Sequence, residues 1–137
     1  MIARLLRNEK GSAFAVFAIF LPVLIAVMGL VIDGGNVFYN KIRLDMATEA
    51  AALSTISSYN KEIYETQGIV ILDAVHGKTM AEKYLKANFP EAEIESVNVE
   101  PQNTATVYTS MTVEFHFMKI FGMKEKKINS HCKCVGG

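Results

Sequence analysis

Charge imbalance, cysteine and catalytic signatures are what this chain has little of. Fourteen Lys and Arg are balanced by 14 Asp and Glu, so no basic footprint for nucleic acid shows. Only two cysteines are present, Cys132 and Cys134, both near the C-terminal end. That is too few for a disulfide scaffold. The sequence contains no Gly-rich phosphate loop, no HExxH helix and no GxSxG elbow. Nothing in it suggests an enzyme, a cofactor or a small-molecule substrate.

What is present is a long apolar run. No residue between Ser12 and Ile32 is charged. As a helix these residues span about 30 Å, the thickness of a bilayer's hydrocarbon core. A secretory h-region is shorter, roughly 7–15 residues, and leads into a small-x-small cleavage site. Here the run ends AVMGLVIDGG, with no such site. The reading is a retained membrane helix. Arg4, Arg7 and Lys10 precede it and Asp33 follows, so the positive-inside rule puts the N-terminus in the cytoplasm and the rest of the chain outside. Pro22 lies mid-run, where it removes one backbone hydrogen bond and either bends the helix or serves its packing.

The helical pattern continues past Asp33. Tyr39, Ile42, Met46, Ala50, Leu53 and Ile56 recur at spacings of three and four and make one apolar stripe. Lys41 and Asp45 are spaced to pair on another face. Alanines in MATEAAALS favour helix and allow close approach of a neighbour. Gly34 and Gly35 weaken the helix just beyond the apolar run and are candidates for a hinge. A helix from Ser12 to about Ser58 is too long for a small domain to cover, so part of it is expected to pack against partners or in the membrane.

Farther on, KEIYETQ reads as helix or loop, and GIVILDAVHG as a short buried strand or a helix. Thr79 with Glu82 three residues later forms a capping-box pattern, which starts a helix at Thr79 that Pro90 ends. Ile94, Val97 and Val99 suggest a short strand interrupted near Ser96. The period-two alternation from Val107 to Phe117 is the strongest strand signal. MKIFGMKEK connects it, with room for one helical turn, to a return strand from Ile128 to Val135. The predicted fold class is α+β: a long N-terminal helix, then a helix with a three-stranded antiparallel sheet. The expected divisions are a basic leader at 1–11, a transmembrane helix at 12–32, its extension at 33–60 and an exported domain at 61–137.

The first 58 residues resemble TadE/TadG-like proteins of tight-adherence, or Flp-type, pilus systems. The likeness lies in Lys10-Gly11 closing a basic leader, Pro22 eleven positions beyond Gly11, Asp33-Gly34-Gly35 at the membrane boundary, Tyr39, Arg43-Leu44 and MATEAAALS. More loosely, the segment from Met111 to Val135 resembles the family's final hairpin. The resemblance implies a non-enzymatic, single-pass component of the cytoplasmic membrane. Its partners would be other pilin-like subunits, assembly-platform proteins, membrane lipid and further copies of itself. Phe14, Phe17, Phe20, Leu21 and Pro22 would pack helices within the membrane, and Tyr39, Ile42, Met46, Ala50 and Leu53 outside it. Some relatives are cut by a prepilin peptidase after a glycine, which here puts the scissile bond between Gly11 and Ser12. Polymerising pilins usually carry glutamate at the fifth mature position; this chain has Val16, which favours the TadG-like branch.

Two alternatives stand beside this reading. One is a processed filament subunit. The other is a membrane-tethered redox or metal module built on Cys132, Cys134 and His131. In a strand the two cysteines share a face and His131 takes the other. A disulfide within or between chains is open to the pair, as is a role as small apolar strand residues.

Overall fold

The computed structural model describes residues 9–100 and 103–136. Arg4 and Arg7 of the basic leader lie outside them, as does the side chain of Lys10. The first helix, α1, runs Glu9–Ile56 without a break and contains Pro22. It also passes through Gly34 and Gly35, around which a Cβ would meet nothing within 4 Å. Two compact units divide the chain: the N-terminal stretch to Asn36 with Phe115–Lys124, and Val37–Glu114 with Glu125–Gly137.

The larger unit holds two more helices and the sheet. Helix α2, Lys61–Gln67, is capped by the Asn60 side chain, which accepts from the Ile63 amide, and ends at Gly68 with φ 67°. Only glycine takes that left-handed conformation at little cost. Helix α3, Ala74–Asn88, begins five residues before the expected Thr79. Asp73 is the true cap, accepting from the amides of both Val75 and His76. Thr79 is inside the helix and donates to the Val75 carbonyl. A carboxylate satisfying two free amides is a strong start signal. It let the helix extend through Gly77, where a Cβ would stand 2.9 Å from the Thr55 methyl. The ambiguous stretch before α3 is divided between a β-bridge, Tyr59 to Leu72, and the first turn of that helix.

Strands β1 (Glu93–Glu100), β2 (Thr104–Glu114) and β3 (Glu125–Val135) form an antiparallel sheet in the order β1-β2-β3. The interruption expected near Ser96 is a bulge between Ile94 and Ser96. Strand β2 stops at Glu114, short of Phe117: the Phe115 amide still follows the register and donates to the Lys124 carbonyl, but the next three donate to a side chain described below. The one-turn connection is a 3₁₀ helix, Met118–Phe121.

One face of the sheet carries the core. Val107, Met111 and Val113 of β2 and Ile128 of β3 meet Leu44, Ala47, Ala51 and Ala52 of α1 and Ala81 and Leu85 of α3. Phe89 closes this cluster, with the Arg43 guanidinium 4.4 Å over its ring. Lys41 pairs with Asp45 as their spacing predicts and also donates to the Asn129 carbonyl of β3. Asn103, at φ 56°, ties three irregular segments together. Its side-chain oxygen accepts from the Leu72 amide, its side-chain nitrogen donates to the Val70 carbonyl, and its own carbonyl accepts from Gly136.

Candidate assembly surface and membrane boundary

In the smaller unit the decisive residue is Asp33. From the sequence, Asp33 is read as part of the boundary motif at the end of the apolar run; the structure adds contacts that the sequence does not show. Asp33 is 1 % exposed, and its carboxylate accepts three backbone amides of this same chain: His116 at 2.9 Å, Phe117 at 2.8 Å and Met118 at 2.7 Å. Burial pushes its pKa up, but the three amide donors outweigh burial and hold the carboxyl below the usual range. No local sequence pattern links positions 33 and 116–118, so this cluster was invisible beforehand. Beside it, Phe117 lies against Gly29, where a Cβ would be 2.8 Å from the Phe117 side chain. Glycine here permits that contact.

Most of the remaining residues of α1 in this unit are exposed. Phe14, Phe17, Phe20 and Leu21 are all exposed, and Pro22 is exposed among them. Gly11 and Ser12 lie in the opening turns of the helix. Val16, the fifth residue counted from Ser12, is also exposed.

In the larger unit α1 has two unlike faces. Leu44, Ala47, Thr48, Ala51 and Thr55 point into the core. Sequence reasoning missed this face because it is built from small and hydroxyl-bearing residues. Their spacing of three and four was the available signal. The apolar stripe that stood out in the sequence is the opposite one. Tyr39, Ile42, Met46 and Leu53 are exposed, Met46 at 66 %. Ala50 is half-buried. Ala50 and Leu53 open into a groove of about 500 Å³ completed by Met80 and Tyr84 of α3.

Cys132 and Cys134 sit on the core-side face of β3, opposite Val107 and Ala105. Both are free thiols, with their Sγ atoms 3.7 Å apart. Burial, then the neighbouring Cys134, pushes the Cys132 thiol up to about 11. His131 is on the other face, stacked on Tyr108 at 5.8 Å. The three residues are therefore not gathered into one ligand set. Among the described residues no group of three His, Cys, Asp or Glu side chains is placed to hold a metal ion.

Residues 11–55 match the family model Tad, Putative Flp pilus-assembly TadE/G-like. This TadE/G-like segment is about a third of the chain and coincides with nearly all of α1. It relates the chain to Flp pilus assembly, a family whose members are generally non-enzymatic. The match includes Pro22, Asp33-Gly34-Gly35 and the whole exposed stripe from Tyr39 to Leu53. It also includes a helix long and apolar enough to cross a membrane, consistent with a membrane anchor. No curated protein and no solved structure matches the chain.

Proposed function

We propose that this protein is a non-enzymatic, pilin-like component of a tight-adherence-type pilus assembly system, held in the cytoplasmic membrane by residues 12–32. The leader at 1–11 stays in the cytoplasm, and the unit carrying the sheet is exported. Assembly proceeds through α1. Within the membrane Phe14, Phe17, Phe20, Leu21 and Pro22 pack against other pilin-like helices or platform proteins. Outside it, Tyr39, Ile42, Met46, Ala50 and Leu53 take a neighbouring subunit's helix.

The observation that carries this reading is the exposed stripe on the TadE/G-like helix. A helix already packed on its own sheet has no structural need for a second apolar face. The test is Met46→Glu. Met46 is exposed, so the charge leaves the core untouched. The variant should remain in the membrane fraction at normal levels while losing crosslinks to other pilus components and surface filaments. Ala50→Glu, at the edge of the groove, should do the same. Normal filaments from both variants would refute the packing role.

Processing is a second question about the same segment. Val16 in place of glutamate argues against a polymerising subunit, since it removes the buried carboxylate that would meet a neighbour's amino terminus. Intact-mass and N-terminal analysis of protein from membranes and from sheared surface fibres decides it. A Ser12 terminus in the fibres would instead establish a processed filament subunit.

A further inference from the structure

The connection between β2 and β3 belongs to the same compact unit as the apolar part of α1, and large apolar side chains are exposed along it, with His116, Lys119 and Lys124 exposed among them. Ile120 is 80 % exposed and Phe121 70 %, with Met123 exposed beside them. Phe117, Met118, Ile120, Phe121 and Met123 share a groove of about 610 Å³ with residues of α1 between Pro22 and Leu30. At 1.5 Å per residue, Leu30 is about 5 Å and Pro22 about 17 Å from Asp33 along the helix axis, on the N-terminal side. Both are inside the uncharged run that reads as the membrane span. A loop seated there is level with acyl chains, not with water.

The loop's backbone gives a second, independent indication. A turn in water can leave its amides to solvent. A turn in hydrocarbon must satisfy them within the protein, because each open amide costs several kcal/mol. Here the Asp33 carboxylate takes the amides of His116, Phe117 and Met118. Carbonyls of the loop take those of Phe115, Ile120, Gly122 and Met123. Lys119 and Lys124 have aliphatic stems long enough to carry their ammonium groups toward headgroup phosphates.

We propose that the Phe117–Met123 loop is a second membrane element, inserted beside α1 into the leaflet that faces away from the cytoplasm, where Ile120 and Phe121 contact lipid acyl chains. This rests on the reading of residues 12–32 as a membrane span. In effect the chain holds the bilayer twice: once by its helix and once by the tip of its hairpin. The buried Asp33 joins the two by binding the loop's amides at the helix.

The sequence contains no tryptophan, so single-tryptophan variants report without background. Full-length Phe121→Trp and Ile120→Trp proteins are reconstituted into phosphatidylcholine–phosphatidylglycerol vesicles, with or without bromine on the acyl chains. Both should emit at blue-shifted wavelengths, lose most of their emission in brominated vesicles and resist quenching by aqueous acrylamide. Ile19→Trp, exposed in the apolar run and outside the proposed packing set, should behave alike; Tyr64→Trp, in the sheet-bearing unit, should be quenched by acrylamide only. If the loop reporters are open to acrylamide and unaffected by bromine while Ile19→Trp is quenched by bromine, the loop proposal fails and the span stands. If Ile19→Trp also ignores bromine and is open to acrylamide, the span reading fails and takes the proposal with it. Loop reporters shielded from both quenchers would show that protein covers the loop, and would likewise overturn lipid insertion.

Discussion

Thr48 of α1 and Thr109 of β2 offer a sharp test of how the TadE/G-like helix is held on its own sheet. Both side chains are fully buried. Their hydroxyl oxygens are 2.6 Å apart, and the Thr48 hydroxyl also donates to the Leu44 carbonyl at 2.6 Å. With the Thr48 hydrogen committed to Leu44, Thr109 is the donor across the interface. Thr48→Val conserves shape but leaves the Thr109 hydroxyl buried with no acceptor, which costs about 1–3 kcal/mol. Removing both hydroxyls in Thr48→Val/Thr109→Val leaves nothing unsatisfied, so the double variant should recover most of that loss. The assay is pulse proteolysis of full-length protein in detergent across a urea series. With a urea dependence of roughly 1–3 kcal/mol per molar, the single variant's midpoint should fall by about 1 M while the double variant stays near the parent. A single variant as stable as the parent, or a double variant that loses as much as the two singles added together, would refute the packing of α1 on the sheet through this pair.

Other expectations concern Asp33, the glycines and the thiols. The Asp33 carboxyl is lowered in the folded protein, so its contribution is complete above the unfolded carboxylate pKa of about 3.9 and is lost as pH falls through the lowered folded value. Amide exchange at His116, Phe117 and Met118 should therefore be slow and pH-independent in protection near neutrality and accelerate only in strong acid. Asp33→Asn should speed exchange at neutral pH and abolish the acid transition. Gly29→Ala should displace Phe117 and cost about 1–3 kcal/mol by overpacking. Gly35→Ala, with open space around it, should instead stabilise α1 by about 0.5–1 kcal/mol. Urea midpoints distinguish the two, and a tolerated Gly29→Ala would contradict the close approach. Because the Cys132 thiol is raised to about 11, its alkylation by iodoacetamide should be slow at neutral pH and keep accelerating past pH 9. A rate that levels off near pH 8.5 would show an ordinary thiol.

What the sequence disclosed follows from where a residue pattern has one physical reading. The uncharged run and the alternation from Val107 to Phe117 each admit one: a membrane-length helix and a strand, which as β2 ends three residues early, at Glu114. The hairpin with its helical turn and the i,i+4 pair Lys41–Asp45 were readable for the same reason. Helix α3 was placed too late because Thr79 and Glu82 imitate a capping box, while the cap that operates, Asp73, follows an apolar stretch that hides it. The two faces of α1 were harder. Hydrophobicity draws attention to Tyr39, Ile42 and Met46, yet the domain buries Ala47, Thr48 and Ala51, because a close helix–sheet contact needs small side chains more than large ones. The Asp33 cluster depends on residues more than 80 positions apart, and only tertiary structure brings those together.

Asn103 has a consequence for the lifetime of the protein. One side-chain amide holds Val70 and Leu72, while the same residue's carbonyl holds Gly136. Asparagine is among the residues that hydrolyse with age and heat. Conversion to aspartate would replace the nitrogen that donates to Val70 with an oxygen that repels it, in a backbone conformation few other residues adopt without strain. A single spontaneous hydrolysis would thus loosen three segments together. The sheet-bearing unit carries a chemical clock of its own, and aged copies should be cut by proteases before fresh ones.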